Sequence, residues 1–149
     1  MEGFERIYSA YSAAVYRIGV LFLKDESAAE DITQDCFLRL LERESFSSDE
    51  HAKAWLLTVA RNLCVNALKR LKRTVPISEF LPAADDSRGV MEELYKLPAD
   101  DRAAVYLFYY EGYSSKEVAK LLKITDAAVR ARLKRARERL KELLEGENE

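Results

Sequence analysis

Apolar residues recur at three- and four-residue steps along most of this chain, the spacing of amphipathic helices. Phe4, Ile7, Tyr8, Tyr11, Val15, Ile18 and Phe22 predict a first helix over residues 3–23, broken at residues 25–27. Ser27 and Glu30 form an S-x-x-E capping box that would open a second helix. This helix runs to about Arg43, with Ala29, Ile32, Cys36, Leu40 and Leu41 apolar. Residues 44–50 are polar and read as a loop. A third helix is predicted from about Glu50 to Arg73, with Leu56, Val59, Ala60, Leu63, Ala67 and Leu71 on one side. Pro76, Pro82 and a polar end mark residues 74–88 as a linker, and a short helix is expected around residues 89–96. Leu97 and Pro98 lead into a helix carrying Val105, Phe108 and Tyr109. Asp100 and Asp101 suit its positive end, and Gly112 suits a left-handed cap.

The next stretch has stronger punctuation. Ser114 and Glu117 form another capping box, followed by inward-facing Val118, Ala119 and Leu122. Ala119 is small enough for a second helix to approach closely. Lys123 and Ile124 make the turn, and Thr125 can cap a long helix with Val129, Leu133, Ala136, Leu140, Leu143 and Leu144 in one stripe. The rest of that helix carries Arg130, Arg132, Lys134, Arg135, Arg137, Arg139 and Lys141. This is the pattern of a helix-turn-helix, whose second helix enters the major groove. The alternative is a helical hairpin with a solvated basic face. With no alternating strand pattern of useful length, the fold is expected to be all-α. It comprises two small helical domains, residues 1–73 and 90–149, joined by a linker at 74–89, the second domain being the helix-turn-helix.

Composition narrows the function. The longest apolar run, residues 103–110, is too short to cross a bilayer, and the N-terminus lacks the secretory pattern, so a cytoplasmic protein without membrane insertion is expected. Cys36 and Cys64 sit in helical patterns and read as buried free thiols. With a single histidine, His51, they make no metal set. No Gly-rich phosphate loop is present, His51 has no nucleophile paired with it in sequence, and Ser47 and Ser48 lie in no recognisable nucleophile turn. Neither enzyme chemistry nor a cofactor is therefore expected, and no small-molecule substrate.

The formal net charge of −2 conceals two basic blocks. Residues 51–73 carry 6 basic and no acidic side chains, and residues 112–141 carry 10 basic and 3 acidic ones. A polyanion such as DNA could be held at two points. On the third helix Asn62, Asn66, Lys69 and Arg73 share a face. Asn offers donor and acceptor to base edges, while Lys and Arg neutralise phosphates. A plain solvated face is the alternative, but the missing acids weigh towards nucleic acid. On the second helix Asp31, Gln34 and Asp35 form a polar face with Phe37 and Leu38 nearby. Those two apolar residues are either core or a docking surface for a basic partner.

The segments SAAEDITQDCFLRLLER, AWLLTVARNLCVNALKR and LP-x-x-x-R…YYEGYSSKEVAKLLKIT…VRARLKRARERL resemble the extracytoplasmic-function (ECF) sigma factors, the smallest bacterial sigma factors. The resemblance covers about Phe4 to Leu144. It implies a first domain that contacts the promoter minus-ten element and the clamp of one large polymerase subunit. It implies a second domain that binds the minus-thirty-five element and the flap of the other. Polymerase docking would then fall to Asp31, Gln34, Asp35 and Phe37. The minus-ten positions would be Ser47 and Ser48 in the loop, then Asn62, Asn66, Lys69, Arg70 and Arg73, with Trp55 as a packing aromatic. The minus-thirty-five positions would be Thr125, Asp126, Ala127, Ala128, Arg130, Ala131 and Arg132, with Lys134 and Arg135 nearer the backbone.

The chain departs from the family pattern at the upstream site. Lys123 stands where a turn Gly is common, and Ala127–Ala128 stand where a Gly-Thr pair is common. Alanine can touch a thymine methyl but cannot hydrogen-bond a base edge, so upstream recognition is expected to lean on phosphates and DNA shape. The resemblance implies core RNA polymerase, promoter DNA and an anti-sigma factor as partners. The competing function is a stand-alone helix-turn-helix regulator, which would have no use for the Asp31–Phe37 helix beside an acid-free one.

Overall fold

The computed structural model describes residues 2–43, 46–71 and 96–147. The predicted linker, the short helix near 89–96 and Arg73 lie outside the described residues. The chain divides into two compact units, Met1–Phe80 and Leu81–Glu149. The described regular elements are all helical, so the all-α expectation holds.

The first unit is built from α1 (Glu2–Leu23), α2 (Glu26–Leu41) and α3 (Asp49–Leu71). Its core is a column of Val15, Ile18, Leu21 and Phe22 from α1, Ala29, Ile32, Cys36 and Leu40 from α2, and Leu56, Leu57, Ala60 and Cys64 from α3. α1 and α2 approach closely at Gly19, where a Cβ would stand 2.9 Å from the Ala29 Cβ and 3.0 Å from its Cα. Lys24 ends α1 in the left-handed conformation, φ 54°. Asp25 then caps α2, its Oδ1 accepting from the Ala28 backbone N at 3.0 Å. The predicted Ser27–Glu30 box is thus displaced by a cap two residues earlier. A left-handed Lys24 delivers an extended Asp25, and a short carboxylate there reaches the first free amide groups. Leu41 also differs from expectation: it is exposed at the end of α2.

In the second unit Leu97 is buried, and Pro98 precedes α4 (Ala99–Val105). α4 continues as a π-helical segment, Tyr106–Tyr110, closed by bonds from Glu111 N to Tyr106 O and from Tyr113 N to Leu107 O. Gly112 at φ 81° ends it in the left-handed region, as the sequence predicts. The wider π turn rotates the face that an α-helix would bury. Tyr106 and Leu107 go inside, whereas Tyr109 is exposed.

The helix-turn-helix follows as α5 (Ser115–Leu122) and α6 (Asp126–Glu147). The Ser114–Glu117 capping box is complete in both directions, at 3.0 and 3.1 Å. Lys123 takes the left-handed turn position at φ 58°, and Thr125 Oγ1 accepts from Ala128 N at 3.0 Å. Val118, Ala119, Leu121 and Leu122 pack with Val129, Leu133 and Ala136. Among the described residues, no helix is long and apolar enough to cross a membrane.

Candidate nucleic-acid interface

α3 carries the first basic surface. A full turn separates Asn62 from Asn66, and Lys69 follows three residues on, so the three lie along one side of the helix. Asn66, Lys69 and Arg70 are exposed, and Asn62 is half-buried. Asn62 Oδ1 accepts from Arg61 Nη1 at 3.3 Å. The serines upstream are engaged locally. Ser48 Oγ accepts from the His51 backbone N at 3.1 Å and so caps α3. Ser47 Oγ and His51 Nδ1 share a 2.6 Å bond. Asp49 binds Arg6 of α1 through both carboxylate oxygens, at 2.9 and 3.2 Å, which ties the start of α3 to the bundle and holds the Arg6 pKa above its usual value. These serines define the loop's shape more than they offer free hydroxyls.

One feature of this surface was not anticipated. Phe46 and Trp55 lie 5.6 Å apart, and the Arg43 guanidinium sits 4.7 Å from the Phe46 ring centre and 5.2 Å from that of Trp55. This cation–aromatic group stands at the start of α3, and Trp55 is half-buried in it. The signal available in the sequence was one Phe within a run of polar loop residues, nine positions before the only Trp.

α6 carries the second surface, and here periodicity separates the cations. Ala127, Arg130, Ala131 and Lys134 lie on the side opposite the buried Val129, Leu133 and Ala136. Arg130 forms an i,i+4 pair with Asp126 at 3.3 Å, with its side chain 67% exposed. Arg132 and Arg135 turn instead towards α4. Arg132 Nη1 stands 3.2 Å from Asp100 Oδ2 and 3.7 Å from Asp101 Oδ1, and Arg135 Nη2 stands 3.4 Å from the same Asp101 oxygen. Of the three arginines predicted at the DNA surface, Arg132 is therefore committed within its own unit, whereas Arg135 keeps a side chain that is 62% exposed. Arg137 also faces its own unit, donating to the Tyr109 hydroxyl at 3.1 Å.

On α2, Asp31 and Gln34 are exposed, and Asp35 pairs with Arg39 at 3.0 Å. Phe37 does not join them. It is 3% exposed and packs edge-on against Tyr8 and Phe4, with ring centres 4.8 and 6.1 Å away. Its placement on a docking surface is corrected: each helical residue turns about 100°, which carries Phe37 onto α1 and leaves its neighbour outside. The apolar residues that do face outward are Leu38, at 61%, and Leu41, at 53%. Cys36 and Cys64 are both free and buried, and burial pushes each thiol up to about 12.

Comparison with known proteins adds the decisive observation. The family model for Sigma-70 region 2 matches residues 7–74, and that for Sigma-70 region 4 matches residues 87–140. The chain belongs to the ECF sigma factors of bacterial RNA polymerase. It is similar to the ECF RNA polymerase sigma factor SigM of Mycobacterium tuberculosis, at 30% identity over 95% of this chain and 76% of the relative. It is likewise 30% identical to SigM of Bacillus subtilis, over 93% of each. A probable RNA polymerase sigma factor of Xanthomonas campestris, RfaY, is 35% identical over 91% of this chain and 39% of its own length. The fold matches that of the sigma factor RpoE from Bartonella quintana, crystallised with the anti-sigma factor NepR, with a TM-score of 0.78 at 24% identity over 97% of this chain and 98% of that one. It also matches CnrH in complex with the cytosolic domain of CnrY, with a TM-score of 0.69 at 24% identity over 97% and 89%. This sigma factor directs core RNA polymerase to promoters and initiates transcription. The stand-alone regulator is not favoured, because region 2 accounts for the whole of the first unit's described core.

Proposed function

We propose that this sigma factor grips promoter DNA at two separate points, with α3 at the minus-ten element and α6 at the minus-thirty-five element. The observation that carries the reading is the division of its cations. One basic helix, free of acids from His51 onward, lies in the region 2 unit, and one basic recognition helix lies in the region 4 unit.

At the downstream site Asn62, Asn66, Lys69, Arg70 and Arg73 hold the opened strand. Basic side chains track its phosphates, and Asn edges meet an unstacked base. Ser47 and Ser48 shape the loop through His51 and the α3 cap. The Phe46–Trp55 group lies close enough along α3 to offer a base an aromatic face. At the upstream site Thr125, Asp126, Ala127, Ala128, Arg130, Ala131 and Lys134 approach the major groove. Methyl contacts and phosphate neutralisation outweigh base-edge hydrogen bonds there.

Asp31, Gln34 and Asp35, with Leu38 and Leu41 beside them, form the polymerase-docking face of α2. An anti-sigma factor regulates the protein by covering such surfaces, an inference supported by two similar folds solved with protein partners, RpoE with the anti-sigma factor NepR and CnrH with the cytosolic domain of CnrY. The protein works in the cytoplasm, where the polymerase is, and contributes positioning with no reaction chemistry of its own.

Run-off transcription with purified bacterial core polymerase and a promoter library tests the reading. Initiation that depends on this protein, from a shared two-part sequence, is the expected result. Initiation that survives Asn62→Ala, Asn66→Ala and Lys69→Ala combined would remove α3 from promoter recognition.

A further inference from the structure

The recognition helix carries more positive charge than it offers outward, and α4 explains the difference. Asp101 is buried, its side chain 6% exposed, and one of its oxygens lies within 3.7 Å of both Arg132 and Arg135. Asp100 adds a second, more exposed carboxylate to Arg132. We infer that Asp101 is a positioning residue for DNA recognition: it holds Arg132 against α4, so that Arg132 does not meet the duplex as Arg130 and Lys134 do. The inference rests on the reading of α6 as the duplex-facing helix.

The reasoning compares two kinds of ion pair. Arg130 pairs with the half-buried Asp126 on its own helix while its own side chain stays 67% exposed, and such a solvent-screened pair is weak enough for Arg130 to exchange onto a phosphate. Arg132 is different. Its side chain is only 23% exposed, and removing it would strip a buried carboxylate of a partner, which is costly. The same pairs tie α6 to α4 and so fix the angle at which the helix is presented. Arg132 is therefore a structural cation, although its spacing alone places it in a DNA-binding run.

The salt dependence of duplex binding counts the cations in use, because each neutralised phosphate contributes about 0.9 to the log–log slope. The full chain is titrated onto a fluorescein-labelled duplex of fixed sequence across a salt series and followed by anisotropy. Lys134→Gln should reduce the slope by about 0.9, while Arg132→Gln should leave it unchanged. Asp101→Asn should steepen it, as the released Arg132 reaches phosphate. A slope reduced by Arg132→Gln as much as by Lys134→Gln overturns the assignment but leaves α6 on DNA. An unchanged slope in a folded Asp101→Asn protein also overturns it. If Lys134→Gln too leaves the slope unchanged, the duplex-facing reading of α6 falls, and the assignment with it. Circular dichroism reports folding, and if Asp101→Asn fails to fold, the Arg132 and Lys134 comparison decides alone.

Discussion

Lys24 and Lys123 occupy the same unusual conformation, φ 54° and 58°, each at a junction between two helices. A side chain there pushes its Cβ against the following carbonyl, and glycine escapes that penalty. Lys123→Gly should raise stability by about 0.5–1 kcal/mol, since the relief exceeds glycine's extra unfolded-state entropy. Urea titration of the variant checks this, and a loss of stability would mean that the Lys123 stem packs usefully on α5. Gly19 is the opposite case. Its missing Cβ lets α1 lie against Ala29, so Gly19→Val should cost about 2–3 kcal/mol despite valine's better helix propensity. The thiols of Cys36 and Cys64 give a further residue-scale outcome. Being buried and held protonated, both should react with a thiol reagent only as fast as the first unit opens, and at once in denaturant. The face that Arg132 occupies could be read from its spacing in α6. Its partner could not, because Asp101 lies 31 positions earlier and nothing in a helical repeat encodes a pairing between elements.

The two S-x-x-E boxes show what a motif can and cannot say about an element. Ser114 and Glu117 start α5 as predicted, because nothing upstream competes for the free amides. The same letters at Ser27 and Glu30 lose to Asp25, which the left-handed Lys24 places two residues earlier. Ser114→Ala should therefore cost about 1 kcal/mol, measured by thermal melting, whereas Ser27→Ala should cost far less. Glu117 carries a pH signature of the working box. Its bonds to the Ser114 backbone and side chain hold its pKa below the ordinary value. A depressed folded pKa means that its contribution is present above the unfolded value and fades as pH falls through the folded one. The Glu117→Gln and wild-type melting curves should thus converge in acid. The π turn at Tyr106–Tyr110 defeats periodicity for another reason: it inserts a wider turn without any marker residue, so Tyr109 emerges on the outside. On α2 the exposed leucines mark a face with work to do. Leu38→Asp should weaken core polymerase binding tenfold or more, about 1.4 kcal/mol, while leaving the melting temperature unchanged.

Across the whole molecule, charge is distributed so that attraction to DNA is local and the sum is close to zero. The formal net charge of −2 coexists with basic blocks in both units. Long-range attraction to nucleic acid is consequently modest, and binding depends on bringing particular faces into place. Retention on heparin at neutral pH is expected in spite of the negative net charge. Lys69→Glu with Arg70→Glu should lower the eluting salt, because that exposed pair lies in the last turn of α3, whose acids are confined to its first turn. Elution unaffected by the double change would show that α3 does not present its cations to polyanions. The two-domain, all-helical plan was legible at this scale because both units bury simple apolar stripes. Which cations each unit keeps for itself was not.

The only tryptophan in the chain stands in the Arg43–Phe46 group at the beginning of α3. Its emission is therefore a built-in optical probe of one place. A guanidinium over the ring and a neighbouring phenyl set its baseline colour and brightness, and any strand that displaces either changes both. Stopped-flow fluorescence of the unlabelled protein, mixed with polymerase and then with promoter, would give the moment of strand opening its own time course.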